Sequence, residues 1–170
     1  MLKPDQEKYL LTIPEDKIVR IQAFDPKVRV VAQKLIDQIT SRFPDVKVFY
    51  IGASPLGIAG QNDIDLNILS EHKFDVYAEE FKKIFGEPVR ANERRLRWEL
   101  QRDGFDIELY LKKDIDEVFQ EQITVFELLK GDSSLRGEYE RIKLDSDGLP
   151  FREYMRRKYE FFNRILGLEK

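Results

Sequence analysis

Two alternating runs, Leu96–Arg102 (LRWELQR) and Phe105–Leu111 (FDIELYL), are separated only by Asp103-Gly104. Asp-Gly between alternating runs is the strongest short-range hairpin signal, because a type I′ turn needs positive φ at both central residues. The middle of the chain is therefore expected to form an antiparallel pair. By alternation Leu96, Trp98 and Leu100 share one strand face and Arg95, Arg97 and Glu99 the other. On the second strand Phe105, Ile107 and Leu109 oppose Asp106 and Glu108.

The flanking segments supply the other elements. Ile18–Phe24 (IVRIQAF) reads as a short strand, and Asp25-Pro26 then opens a helix whose stripe is Val28, Val31, Leu35, Ile39 and Phe43, stopped by Pro44. Val46–Ile51 reads as a largely buried strand running into Gly52. Ser54-Pro55 repeats the cap-plus-proline signal, so a short helical turn is expected to end near Gly57 to Gly60. Asp63–Leu69 forms a further strand, and Phe74, Tyr77 and Phe81 mark a helix ended by Gly86. After Lys112 the pattern turns helical, with stripes over Ile115–Leu129, Leu135–Ile142 and Phe151 to about Leu166. The fold class is α/β in the broad α+β sense: a mixed sheet flanked by helices, with a carboxy-terminal helical segment. One domain is expected over residues 1–170, with a core over about 18–112 and a helical tail over about 113–170.

Composition narrows the chemistry. With no cysteine and one histidine, disulfides, thiolate zinc sites, cysteine nucleophiles and sites needing two imidazoles are excluded. What remains must run on carboxylates, hydroxyls and hard cations. A net charge of -3 argues against general DNA binding. No apolar run approaches a membrane span, and Asp5, Glu7 and Lys8 interrupt the place a secretory signal would occupy, so a cytoplasmic location is expected.

The informative stretch is Tyr50–Leu69 (YIGASPLGIAGQNDIDLNIL). A strand that delivers a glycine-rich turn opening a short helix aims backbone N–H groups at an anion, and phosphate is the obvious one. The next strand carries Asp63 and Asp65, which alternation projects from one face. Neighbouring carboxylates repel unless a multivalent cation sits between them, and oxygen-only ligands suit magnesium or manganese. Asp106 or Glu108, on the hairpin strand, completes the set. Three carboxylates around divalent ions can clamp a triphosphate, activate an attacking hydroxyl and neutralise leaving pyrophosphate, which is nucleotidyl transfer.

The G-x-x-x-x-G turn from Gly52 to Gly57, the Asp63-Ile64-Asp65 strand and the later FDIEL resemble the nucleotidyltransferase superfamily of the DNA polymerase beta type. That superfamily usually reads Gly-Ser where this chain has Gly52-Ala53 followed by Ser54, and the resemblance favours Asp106 over Glu108 as third acid. A closer resemblance runs from Ile18 to about Leu166. VRIQAFDP, YIGASPLG, VFELLKGDSSLRGEYERIKLD and FREYMRRKYEFFNRIL are similar to the GrpB family, a branch of the same superfamily. Many GrpB members keep one aspartate of the pair, a Ser-Thr pair and an upstream histidine; this chain has both aspartates, Ala53-Ser54 and Tyr50.

The resulting expectation is a metal-dependent nucleotidyltransferase. Asp63 and Asp65 bridge the metals, and Asp106 holds the ion that activates the acceptor. Gly52, Ala53, Ser54 and Gly57 hold the phosphates of a nucleoside triphosphate. The acceptor is a small molecule, a protein hydroxyl or an RNA end, and the carboxy-terminal helices help to form its cleft. The alternative is a non-catalytic GrpB-like module that binds a nucleotide or a protein. Arg95 and Arg97, with Arg90, Arg94 and Arg102 nearby, form either a rim for an anionic substrate or a charged edge strand. Trp98 and Tyr110 either stack on a base or pack across the strands. Arg152, Arg156, Arg157 and Lys158 read as a charged outer helix face, and His72 as a surface residue.

Overall fold

The computed structural model describes residues 1–168. In chain order the elements are α1 (Pro4–Thr12), α2 (Lys27–Arg42), β1 (Lys47–Ile51), α3 (Ala53–Leu56), β2 (Ile64–Leu69), α4 (Phe74–Phe85), β3 (Arg90–Ala91), β4 (Arg95–Arg102), β5 (Phe105–Lys112), α5 (Glu117–Gly131), α6 (Ser133–Leu144) and α7 (Phe151–Ile165). This is the expected mixed α/β class. The chain divides into two compact units, one formed by Phe24–Gly57 and Asn62–Gln120, the other by Met1–Ala23, Ile58–Gln61 and the chain from Glu121 onward.

The first unit is built on a five-stranded sheet in the order β1-β2-β5-β4-β3. The central β2–β5 pair is parallel, and its neighbours pair antiparallel. The β4–β5 hairpin turns at Asp103-Gly104, whose φ values of 50° and 84° are those a type I′ turn requires. Period-2 alternation sends Ile64, Leu66 and Ile68 with Ile107, Leu109 and Leu111 to one face. There they are buried with Val28, Val31, Leu35 and Ile39 of α2 and with Phe74, Tyr77 and Phe81 of α4. Each such side chain stabilises the fold by about 1.5–3 kcal/mol. Trp98 belongs to this core: it packs on Phe81 and Phe85 and donates its indole N–H to the Gly86 carbonyl at 2.7 Å, so base stacking by Trp98 is excluded.

Four sequence expectations change. Ile18–Phe24 forms no strand; Ile18 and Gln22 make isolated bridges to Pro150 and Gly60, which lie in loops rather than in strands. Ser54 is not the cap of α3. Gly52 occupies that position, and the Ser54 hydroxyl instead donates to the Asp63 carbonyl, a tertiary acceptor nine residues on. β2 starts at Ile64, one residue later than expected, since Asn62 takes φ 54° and turns the chain before Asp63. Helix α1 has no counterpart in the sequence reading, although Pro4 in its first turn and Gln6, whose side chain accepts the Lys3 N–H, are a readable start signal.

The second unit is helical. Leu10 and Ile13 pack with Val19, Tyr154 and Met155, and Tyr139 stacks on Phe161 with centroids 5.6 Å apart. Arg152 donates to the Ile13 carbonyl and Arg157 pairs with Glu153, so this part of the basic α7 surface is satisfied internally. Among the described residues no helix is long and apolar enough to cross a membrane.

Candidate functional site

The polar face of the sheet carries the candidate residues. β1 feeds Gly52, whose φ of 96° only glycine adopts easily, and a Cβ there would lie 2.7 Å from Asp65 Oδ2. The turn thus packs directly on the carboxylate. α3 ends at Gly57, left-handed at φ 71°, and a Cβ there would lie 2.8 Å from an Arg29 guanidinium nitrogen. Arg29 donates to the Ser54 and Pro55 carbonyls at 3.1 and 2.8 Å. It therefore holds the glycine turn as a positioning residue, a role visible in the sequence only as a polar position on α2.

The Tyr50 hydroxyl is buried beside Ser54 yet makes no hydrogen bond of normal geometry. Burial pushes its pKa up to about 12, with Asp65 and Asp63 adding to the rise.

The register decides which acids stand together. Asp65 is the partner of Glu108 and Ile64 that of Ile107, so Asp106 falls level with position 63, just beyond the start of β2. Glu108 is held by Arg97, which donates to it at 2.7 Å and also pairs with Glu99 at 2.7 Å. Burial works against the Arg97 charge, but Glu108, Tyr110 and Glu99 keep its pKa above the usual range. The Tyr110 hydroxyl donates to Glu108 at 3.3 Å, and burial together with that carboxylate pushes its pKa up to about 12. Asp106 is exposed and accepts from Gln101 at 2.8 Å. Among the described residues no three His, Cys, Asp or Glu side chains are gathered closely enough to hold a metal ion.

Arg95 and Arg97 do lie on the face of Asp65 and Glu108, as alternation places them. Arg97 is nevertheless occupied by the two glutamates. Arg94 is paired in a two-pronged contact with Asp114 at 2.8 and 3.0 Å, and His72 is exposed in the turn before α4. Lys112 escaped the sequence reading. It ends β5 at 6% exposure, a burial that no pattern of charged residues reveals.

No protein-family model matches the sequence, and no curated protein matches it. Among solved structures, that of conserved protein GrpB from Enterococcus faecalis superimposes with a TM-score of 0.61 at 15% identity, covering 86% of this chain and 99% of that chain. The fold is GrpB-like. At this identity the likeness speaks for architecture, and the GrpB-like sheet is what brings the Gly52 turn, Asp65 and Glu108 to one face.

Proposed function

We propose that the protein is a metal-dependent nucleotidyltransferase, moving a nucleoside monophosphate from a triphosphate to a hydroxyl acceptor. The observation that carries this reading is the packing of Gly52 on Asp65, which sets the backbone of the glycine turn directly against the carboxylate. The donor set consists of oxygens, which fits magnesium or manganese, and Asp63 and Asp65 would hold the ion. Magnesium is commonly bound by one or two carboxylates plus substrate phosphates, so a preformed three-acid cage is not required. When bound, the ion supplies charge neutralisation at the phosphates. Gly52, Ala53 and Gly57 shape the backbone that faces the phosphates. Ser54 ties that turn to Asp63, and Asp106 would hold the ion that activates the acceptor hydroxyl.

A second reading, a nucleotide-binding module without turnover, draws on a different observation. Glu108 is engaged by Arg97 and Tyr110, and Asp106 by Gln101. Pyrophosphate release is measured with each nucleoside triphosphate and magnesium or manganese, in wild type and Asp65→Asn. Release lost in the variant supports the transferase, and calorimetric nucleotide binding without release supports the module. Neither binding nor release overturns both.

A further inference from the structure

Arg95 and Lys112 are register partners on β4 and β5, so two cations stand directly opposite each other on one sheet face. Like charges so placed destabilise a sheet. Lys112 is 6% exposed, and among the described residues its ammonium has no ion-pair partner; it lies over the Phe119 ring at 4.1 Å and the Tyr110 ring at 5.4 Å. Burial, with Arg95 adding to it, lowers the Lys112 pKa, while Asp116 and Asp114 act the other way. Arg95 is exposed.

Both side chains line a hollow of about 550 Å³, and Arg95 also lines an adjoining one of about 310 Å³ with Arg90, Arg97 and Tyr110. Glu93, Asp114 and Asp116 also line the first hollow, and two of the three are engaged. Asp114 is engaged by Arg94, and Asp116 accepts the Phe119 N–H at 2.8 Å. An ammonium held largely out of water beside a like charge gains from an anionic partner. An oxyanion between Arg95 and Lys112 would relieve both the burial of the ammonium and the repulsion across the strands. The guanidinium fork and the ammonium point charge together suit phosphate.

We propose that the hollow at Arg95 and Lys112 is an anion-binding subsite for a phosphate group. Four residues of β5 separate it from Glu108, on the order of 13 Å at the rise of a strand. It is therefore distinct from the Gly52 turn and depends neither on a metal nor on turnover.

The test titrates the full-length protein, free of divalent metal, with inorganic phosphate and separately with adenosine monophosphate, by calorimetry. Wild type binds phosphate, and Lys112→Met, which keeps the apolar stem, weakens binding about tenfold or more. Arg95→Gln weakens it comparably, and since Arg95 is exposed this variant carries the test if Lys112→Met fails to fold. Lys83→Gln, which removes an exposed cation of α4 paired with Glu80, leaves binding unchanged. Equal affinity for both probes assigns the subsite to the phosphate group alone, and tighter binding of the nucleotide assigns it to a phosphorylated ligand reaching the Tyr110 hollow; both support the proposal. No phosphate binding by wild type, or undiminished binding by Arg95→Gln and by folded Lys112→Met, overturns it. Because no metal is present, these outcomes are independent of whether Asp63 and Asp65 support transfer.

Discussion

A Cβ added to Gly52 would sit 2.7 Å from Asp65 Oδ2, so glycine at the end of β1 and aspartate on β2 are geometrically dependent on each other. Gly52→Ala must both strain a φ of 96° and displace the carboxylate. Gly86, at φ 82°, has open space where a Cβ would go. Strain alone costs about 1–3 kcal/mol. Gly52→Ala is therefore expected to lower the urea unfolding free energy by more than Gly86→Ala, the excess measuring the contact with Asp65. Equal losses would show that the carboxylate moves aside freely.

Glu99 and Glu108 are register partners, and Arg97 bridges them. Removing the guanidinium leaves two carboxylates facing each other on a half-buried surface. Arg97→Gln is expected to destabilise the protein by about 1–2 kcal/mol, with the double variant Arg97→Gln, Glu108→Gln recovering part of it. A double-mutant cycle in chemical denaturation measures the coupling, and additive losses would dissociate the pair.

Because Glu108 is engaged by Arg97 and Tyr110, the transferase reading expects an order of damage among the hairpin acids. Asp106→Asn abolishes pyrophosphate release, whereas Glu108→Gln leaves a substantial fraction. The reverse order would make Glu108, the register partner of Asp65, the third acid.

Tyr110 has its pKa raised from 10.0 to about 12 in the folded protein. Above the unfolded value the folded state holds more protons than the unfolded one, so stability falls as pH rises from about 10 to about 12. Lys112, lowered by burial, contributes with the opposite sign. The difference between wild type and Tyr110→Phe isolates the tyrosine: the variant loses less stability across that window, read from denaturant midpoints. Parallel curves would mean that Tyr110 titrates normally.

In the helical unit Lys143 is 5% exposed and donates to the Tyr154 hydroxyl at 2.8 Å, with the Tyr139 ring 4.8 Å away. Tyr154→Phe removes the acceptor from a buried ammonium and is expected to cost about 1–3 kcal/mol. Tyr159→Phe, at a half-buried position, costs less. Thermal unfolding of the two variants decides, and equal melting temperatures would show that the ring faces alone hold the Lys143 charge.

Much of the architecture was readable because its causes are local. Asp103-Gly104 requires two positive φ values and flanks them with alternating runs, and both strands are present. The stripe of Val28, Val31, Leu35 and Ile39 makes α2 whatever it packs against, and Pro44 ends it. The Gly52 turn and Asp65 were legible for the same reason, being set by turn chemistry and strand period over a short span.

What the sequence by itself determined is therefore each element whose cause lies within a few residues: turn, cap, stripe and face. Tertiary structure alone decided whatever depends on a partner distant in the chain. The IVRIQAF run has strand character, but only Ile18 and Gln22 pair, each with a single loop residue distant in the chain. Ser54 carries a cap signal, yet the helix is capped earlier, at Gly52, and the Ser54 hydroxyl donates to the distant Asp63 carbonyl. Arg29 holds the glycine turn from α2, Arg97 takes Glu108 from the acids, and Lys112 is buried opposite Arg95. Charge and hydropathy along the chain are blind to these pairings. Register between strands decides which side chains share a level, and it arises only once the sheet has closed.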